Sequence, residues 1–84
     1  MKVINRSRVI RPSSRGENSE SYKIDTKKVT AEDTLIVNIS HEATAFQKSF
    51  KFNGKDLANK NSIHFKAVEE GSQTKIEWSG AKPI

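Results

Sequence analysis

The chain has 84 residues, a formal net charge of +5, no cysteine, and an apolar content of 33%. This length allows one domain near the lower size limit for a self-sufficient core, so a homo-oligomer is compatible with it. The absence of Cys excludes disulfides and thiolate metal sites, and small disulfide-free domains are typical of the cytoplasm. The longest apolar run, Leu35-Ile36-Val37, is too short to cross a membrane, so we predict a cytoplasmic protein without a membrane partner.

The positive charge is concentrated at the N-terminus. From Glu17 onward ten Lys balance ten Asp and Glu, whereas residues 1–16 contain no acid. The cations of this segment are Lys2, Arg6, Arg8, Arg11 and Arg15. Because a guanidinium group can bind phosphate or carboxylate oxygens in a bidentate manner, we predict a basic arm over residues 1–21 that contacts an anionic partner. Its β-branched stretch around Val3–Ile10 can form a strand once paired, and the polar stretch at 12–19 indicates a loop.

The rest of the chain, residues 22–84, is predicted to be a single β-rich domain. Four segments alternate apolar and polar residues with the two-residue period of a half-buried strand. Their apolar positions are Leu35, Val37 and Ile39; Phe46, Phe50 and Phe52; Ile63, Phe65 and Ala67; and Ile76 and Trp78. Tyr22 and Ile24 indicate a further strand before them. Turn residues separate the segments, at Asn53-Gly54 and at Glu70-Gly71-Ser72.

A helix is an alternative for one segment. Thr30-Ala31-Glu32-Asp33 resembles a capping box, and Ile36, Ile39, Ala43 and Phe46 would follow on one helical face. The β-branched density after Thr34 favours a strand instead. We therefore predict a mainly β fold, a small antiparallel barrel or sandwich of five to six strands with a basic N-terminal arm.

Aromatic and basic residues are interleaved in two of these strands. Lys48, Lys51 and Lys66 alternate with phenylalanines, and His64 precedes Phe65. Single-stranded nucleic acids bind surfaces of this composition, since bases stack on rings while ammonium groups contact phosphates. The candidate nucleic-acid-binding residues are therefore Lys2, Arg6, Arg8, Arg11, Arg15, Lys48, Lys51, His64 and Lys66.

Residues 48–83 resemble cold-shock domains of the OB type. Lys48-Ser49-Phe50-Lys51-Phe52 is similar to the first nucleic-acid motif of that family and Ile63-His64-Phe65 to the second. The end of the chain, through Glu70-Gly71 and Ser79–Pro83, is also similar to the family's last part. The resemblance implies a five-stranded Greek-key barrel that binds single-stranded RNA or DNA, with Phe50, Phe52 and His64 as stacking residues.

The alternation itself supports a different role for the rings. If Phe50 and Phe52 faced outward toward bases, Lys51 would have to point into the core, and burying an unpaired ammonium group is prohibitive. Each buried Phe contributes about 1.5–3 kcal/mol instead. The residues alone therefore favour Phe46, Phe50 and Phe52 as core.

Candidate catalytic and metal-binding residues are few. Ser40-His41-Glu42 contains a nucleophile, a base and an acid, but adjacent residues in a strand do not converge on one another. His41 and His64 have no metal-ligand spacing and are predicted to be surface residues. We predict no catalytic residue, no metal and no cofactor, so the chain is predicted not to be an enzyme.

Two functions remain open at this stage. The first is a non-enzymatic nucleic-acid-binding module whose Arg-rich arm contacts phosphates, with single-stranded DNA or RNA favoured over duplex. The second is a small protein-interaction module, such as a regulator, inhibitor or assembly subunit encoded by a mobile element. Its arm would dock on an acidic protein surface or add a strand to it.

Overall fold

The chain is mainly β, as predicted. The computed structural model describes residues 2–11, 13–14 and 21–84. Its strands are β1 (Val3–Ile10), β2 (Ser13–Ser14), β3 (Ser21–Asp25), β4 (Thr34–His41), β5 (Gln47–Asn53), β6 (Ser62–Glu70) and β7 (Gln73–Ser79). A single 3₁₀ turn, Gly54–Asp56, follows β5. The predicted strand is therefore confirmed over the helix at Thr34–His41.

The strands form two sheets. Sheet A has the order β1-β4-β5, and sheet B consists of β2, β3, β6 and β7. In sheet B, β7 lies along one edge of β6, while β3 and the two-residue β2 share the other edge.

The direction of pairing differs from the prediction. β4 pairs antiparallel with β5 but parallel with β1, and β6 pairs antiparallel with β3 and β7 but parallel with β2. Both sheets are thus mixed, and the described residues form seven strands where five to six antiparallel ones were expected. Alternation in the sequence identifies a strand, but it contains no information on the direction of the neighbouring strand.

The first half of the predicted arm is an integral strand. β1 pairs along its whole length with β4, from Val3 opposite Thr34 to Ile10 opposite His41. Ile10 is fully buried and Ile4 packs against the core. β1 belongs to the sheet because Ile4 near its start and Ile10 at its end face the same side and add to the core next to β4. The predicted loop at residues 12–19 lies outside the described residues except for β2.

Residues from both sheets share one core. The inward positions of β4, β5 and β6 supply most of it, and the buried set is Ile10, Ile24, Val29, Leu35, Val37, Ile39, Phe52, Leu57, Ile63, Phe65, Ala67 and Ala81. Trp78 of β7 lies against Phe52 of β5, with ring centroids 4.7 Å apart, and against Phe65 of β6 at 5.0 Å. Phe46, Phe50, Ile76 and Trp78 are partly buried and pack on this core. The inward orientation predicted from Lys51 is therefore confirmed.

Two loops meet closely beside this core. The Gly54 N–H donates to the Asp33 carbonyl at 2.8 Å, and a Cβ at Gly54 would lie 2.2 Å from the Thr30 carbonyl oxygen. Only glycine fits this approach. The Asn53-Gly54 pair read as a turn signal is thus also a contact point between the segment before β4 and the segment after β5.

Candidate nucleic-acid interface

Arg6 and Arg8 project from the core side of β1. They lie between Ile4 and Ile10 in the alternation of the strand, but β1 is an edge strand, so their long side chains can leave the core at its unpaired edge. Across that edge lies β3 of sheet B. The Arg8 guanidinium donates from Nη2 to the Lys23 main-chain carbonyl, which ties the two sheets together on this side.

A second group of cations lies around Asp25, at the end of β3. Its Oδ1 accepts the Lys27 backbone N–H at 2.8 Å, and this hydrogen bond is the main reason that the pKa of Asp25 is lowered. Burial opposes this lowering as the second-largest effect, and the positive charges of Lys27, Lys23 and Arg6 each lower the pKa by a smaller amount. Arg6 is therefore near the end of β3, and Asp25 is surrounded by cations.

The outer face of sheet B extends this positive region. Register pairs Lys23 of β3 with His64 of β6, and the next outward position of β6 is Lys66. All three side chains are exposed. On the far side of β6, Glu77 lies opposite Lys66 and offsets part of its charge.

We call these cations the basic patch: Arg6, Arg8, Lys23, Lys27 and Lys66, together with His64, which lies on β6 opposite Lys23. Asp25 and Glu77 are the acids within it, which leaves an excess of three positive charges on one side of the molecule. Two of the patch residues, Lys23 and Lys27, were not among those predicted from the sequence. The alternation of Tyr22, Lys23, Ile24 and Asp25 could have identified Lys23 as an outward cation.

Arg11 has a different environment. Its guanidinium binds the carboxylate of Glu42, with Nη2 3.1 Å from Oε1 and a shorter contact from Nε. Its backbone N–H donates to the Tyr22 hydroxyl at 2.8 Å, and that hydroxyl donates back to the Arg11 carbonyl at 3.2 Å. The Arg11 hydrogen bond and charge also lower the pKa of Glu42. Arg11 is thus neutralised by an acid and anchors the chain after β1.

The remaining predicted cations are not brought together. Lys51 lies on the outer face of sheet A. Lys48 lies near the start of β5, on the side that faces the core, with its Nζ 5.3 Å from the centroid of the Phe50 ring. Lys2 precedes β1, where its carbonyl accepts the Thr34 N–H at 3.0 Å. Arg15 lies outside the described residues.

The rings proposed for base stacking are used by the core. Phe52 and Phe65 have no exposed surface, and Phe50 is partly buried against Trp78 at 5.2 Å. Of the residues to which the cold-shock resemblance assigns stacking, His64 alone is exposed. The basic patch therefore contains ammonium and guanidinium groups without a large aromatic surface, which suits a phosphate backbone better than unstacked bases.

Ser40, His41 and Glu42 do not form a catalytic group. Ser40 lies on the outer side of β4, whereas the His41 side chain is 9% exposed and its Nε2 lies 3.5 Å from Glu69 Oε1. His41 Nδ1 accepts the Ala43 N–H at 2.9 Å, and Glu42 binds Arg11. The prediction of His41 as a surface residue is wrong, because its imidazole packs at the end of β4 beside the Glu69 carboxylate. Within the described ranges, no three His, Asp or Glu side chains are grouped to hold a metal.

Comparison with known proteins gives no assignment. The chain matches no protein-family model, no curated protein and no solved structure. In the part of the chain that the structure describes, no helix has the length and apolar character needed to cross a membrane.

Proposed function

We propose that this protein is a non-enzymatic nucleic-acid-binding module that holds the phosphate backbone with the basic patch. The observation that carries the proposal is the convergence of Arg6 and Arg8 from β1 with Lys23 and Lys66 of sheet B on one side of the molecule. Outside the patch, the chain from Glu17 onward has seven Lys against eight Asp and Glu, so the rest of the body has no excess of positive charge. An intracellular location belongs to the same proposal.

The patch is preorganised for this role. Arg8 is held at its guanidinium by the Lys23 carbonyl, and Lys23 and Lys66 project from neighbouring strands of one sheet. Cations fixed on a rigid sheet lose less conformational entropy on binding than cations on a loose tail. Because His64 is the one ring among the patch residues, the proposal concerns duplex as well as single-stranded nucleic acid.

For the architecture we infer a sandwich rather than a closed barrel. β1 and β3 face each other across one side, where Arg8 of β1 bonds to Lys23 of β3 and Tyr22 of β3 bonds to Arg11, the residue after β1. The other pair of edge strands, β5 and β7, is separated by a groove lined by Phe50, Lys48 and Ile76 among others, with a volume of 210 Å³. Each sheet thus keeps its edges, as in a sandwich.

An acidic protein surface is the second candidate partner. The observation that favours it is the unpaired edge of β1, which belongs to no ladder on its outer side in the described residues. A partner strand with carboxylates could pair there and contact the same arginines. Arg8 lies across this edge, so such pairing requires its bond to Lys23 to open.

Two matched double variants test the proposal. Lys23→Gln with Lys66→Gln removes two charges from the patch, and Lys48→Gln with Lys51→Gln removes two charges from sheet A. Binding to labelled duplex DNA, single-stranded DNA and RNA is followed by fluorescence anisotropy over a salt series. On duplex, we expect the first double variant to reduce the magnitude of the log–log salt slope by about 1.8, and the second to leave it unchanged. Equal effects of the two double variants, or no binding by the wild-type protein at low salt, would refute the proposal.

A further inference from the structure

The outer face of sheet A is almost without charge. Four outward positions on each of three strands form it: Val3, Asn5, Ser7 and Val9; Thr34, Ile36, Asn38 and Ser40; and Gln47, Ser49, Lys51 and Asn53. Lys51 is the one ionisable group among them, although 30% of the whole chain is charged. Val3 and Val9, at 56% and 60% exposure, are two of the three exposed large hydrophobic residues described.

Sheet B provides an internal comparison. On its three longer strands the outward positions number three on β3, five on β6 and four on β7, which is again twelve. Six of them are charged: Lys23, Asp25, Lys66, Glu70, Lys75 and Glu77. The molecule therefore has one charged, solvated face and one neutral face that retains exposed valines. Depletion of charge is the compositional mark of the buried centre of protein interfaces.

We propose that the outer face of sheet A is the contact surface between two copies of this chain. Hydroxyl and amide groups both donate and accept hydrogen bonds, so two identical faces of this kind can satisfy each other, which two lysine-rich faces cannot. The Ser49 hydroxyl already donates to Asn38 Oδ1 at 2.6 Å, and this orients the amide. The inference does not depend on the proposed nucleic-acid function, because the basic patch lies away from this face.

The shape of the face selects one arrangement. A depression of 520 Å³ lies toward one end, among Ser7, Ser40, Gln47 and neighbouring residues, while Val3 projects at the other end. A two-fold axis parallel to the face and perpendicular to the strands exchanges these ends. It places Val3 of one copy over Val9 of the second copy, and Lys51 over Ser49 of the second copy.

The size of the face sets the expected strength. Three strands about 4.8 Å apart and seven residues long give a footprint of about 14 by 24 Å. Two such faces in contact bury on the order of 700 Å² in total, less than the roughly 1,000 Å² of a stable specific interface, so the contact belongs to the weak, transient class. We therefore expect a dimer that dissociates in the micromolar range rather than an obligate one.

Substitutions at Ser49 test the arrangement by charge. Ser49→Lys places an ammonium group opposite Lys51 of the second copy, whereas Ser49→Glu places a carboxylate there. Sedimentation velocity over a concentration series, without nucleic acid, should show the dissociation constant raised tenfold or more by Ser49→Lys. Ser49→Glu should leave it unchanged or lower it. Ser79→Lys, the same change on an exposed strand position of sheet B, is the control and should match the wild type.

Cross-linking provides the second measurement, because the chain has no cysteine of its own. A mixture of Val3→Cys and Val9→Cys proteins should give a covalent dimer with a short bis-maleimide, and each variant alone should give much less. Ser79→Cys should give none. A wild-type protein that is monomeric at all concentrations up to about 1 mM, far above the micromolar range expected for a face of this size, would overturn the proposal. So would a dimer that is insensitive to Ser49→Lys, or cross-links that form through Ser79→Cys.

Discussion

At the scale of single residues, the stability of the protein depends on a ring cluster. Phe65 has no exposed surface, stacks on Tyr22 at 5.2 Å and contacts Trp78 at 5.0 Å. We expect Phe65→Ala to cost about 3–5 kcal/mol, close to the whole stability of a domain of this size. Val9→Ala, at an exposed position, should change the monomer by less than about 0.5 kcal/mol. Urea unfolding followed by Trp78 fluorescence measures both. A folded Phe65→Ala protein with unchanged stability would contradict the burial of this ring.

Trp78 has an unusual feature at its indole nitrogen. Its Nε1–H is the buried side-chain donor without a hydrogen-bond partner among the described residues. An unsatisfied buried donor costs about 1–3 kcal/mol, so Trp78→Phe removes this penalty while it loses part of the ring's packing. We expect a net change within about 1 kcal/mol, against a loss of several kcal/mol for Trp78→Ala. Thermal unfolding followed by circular dichroism distinguishes the two variants, and a Trp78→Phe protein as unstable as Trp78→Ala would show that the donor is satisfied.

Glu42 predicts an acid-dependent contribution to stability. The pKa of its carboxyl is below the ordinary 4.5 because Arg11 donates hydrogen bonds to it and sits beside it as a positive charge. The unfolded chain therefore takes up the proton at higher pH than the folded protein. The contribution is complete above pH 4.5 and is lost as the pH falls through the lower folded value.

Comparing wild type with Glu42→Gln isolates this contribution. We expect the variant to be less stable than the wild type at neutral pH and low salt, and the difference to shrink both in acid and in high salt, since the pair is exposed. Urea unfolding at several pH values measures it. A difference that persists unchanged in acid would mean that Glu42 acts by packing and not by charge.

At the scale of secondary-structure elements, β1 determines whether the N-terminal segment is a loose tail or part of the fold. Ile10 is fully buried while its neighbour Val9 is 60% exposed. We expect Ile10→Asp to unfold the domain and Val9→Asp to leave the monomer folded, as judged by circular dichroism melting.

Deletion of residues 1–16 tests the same strand as a whole. Because β1 pairs with β4 and Ile10 is buried, we expect the deletion to unfold the protein, whereas loss of a loose arm would leave the fold intact. A deletion variant that stays folded would show that residues 1–16 are a separate arm and not a structural part of the domain.

The sequence predicts some of these elements better than others. β4, β5, β6 and β7 each alternate apolar and polar residues with the period of a strand. Their existence, and the inward orientation of Phe52 and Phe65, can therefore be predicted directly from the sequence. β1 is not, because Arg6 and Arg8 occupy core-side positions that only an edge strand tolerates. Its parallel pairing with β4 joins segments about thirty residues apart, a distance at which alternation is uninformative.

The candidate site was only partly predictable for the same reason. Arg6, Arg8, His64 and Lys66 were predicted, but their neighbour Lys23 belongs to a strand that joins them only through the fold. Arg11 was predicted as a phosphate contact, and its partner Glu42 is distant in sequence. Composition thus identifies the charged segment, whereas the division between free and neutralised cations depends on tertiary contacts.

At the scale of the whole molecule, the two sheets divide the surface by chemistry. Sheet B and the edge of β1 carry the basic patch, and the outer face of sheet A is neutral. A dimer through sheet A would leave both basic patches exposed, with the outer faces of sheet B on opposite sides and the two β1 edges along the same side. Binding of a long nucleic acid by such a dimer would then gain from two attachment points, with no additional contact in either copy.

The most direct test of binding through the basic patch is a map of the bound surface. Two-dimensional ¹⁵N–¹H NMR spectra of the wild-type protein are recorded during titration with a short DNA duplex at low salt. We expect the amide shifts to move at Arg8, Lys23 and His64, and to stay in place at Asn38 and Ser49 on sheet A. Shifts confined to sheet A, or none at all, would contradict binding through the basic patch.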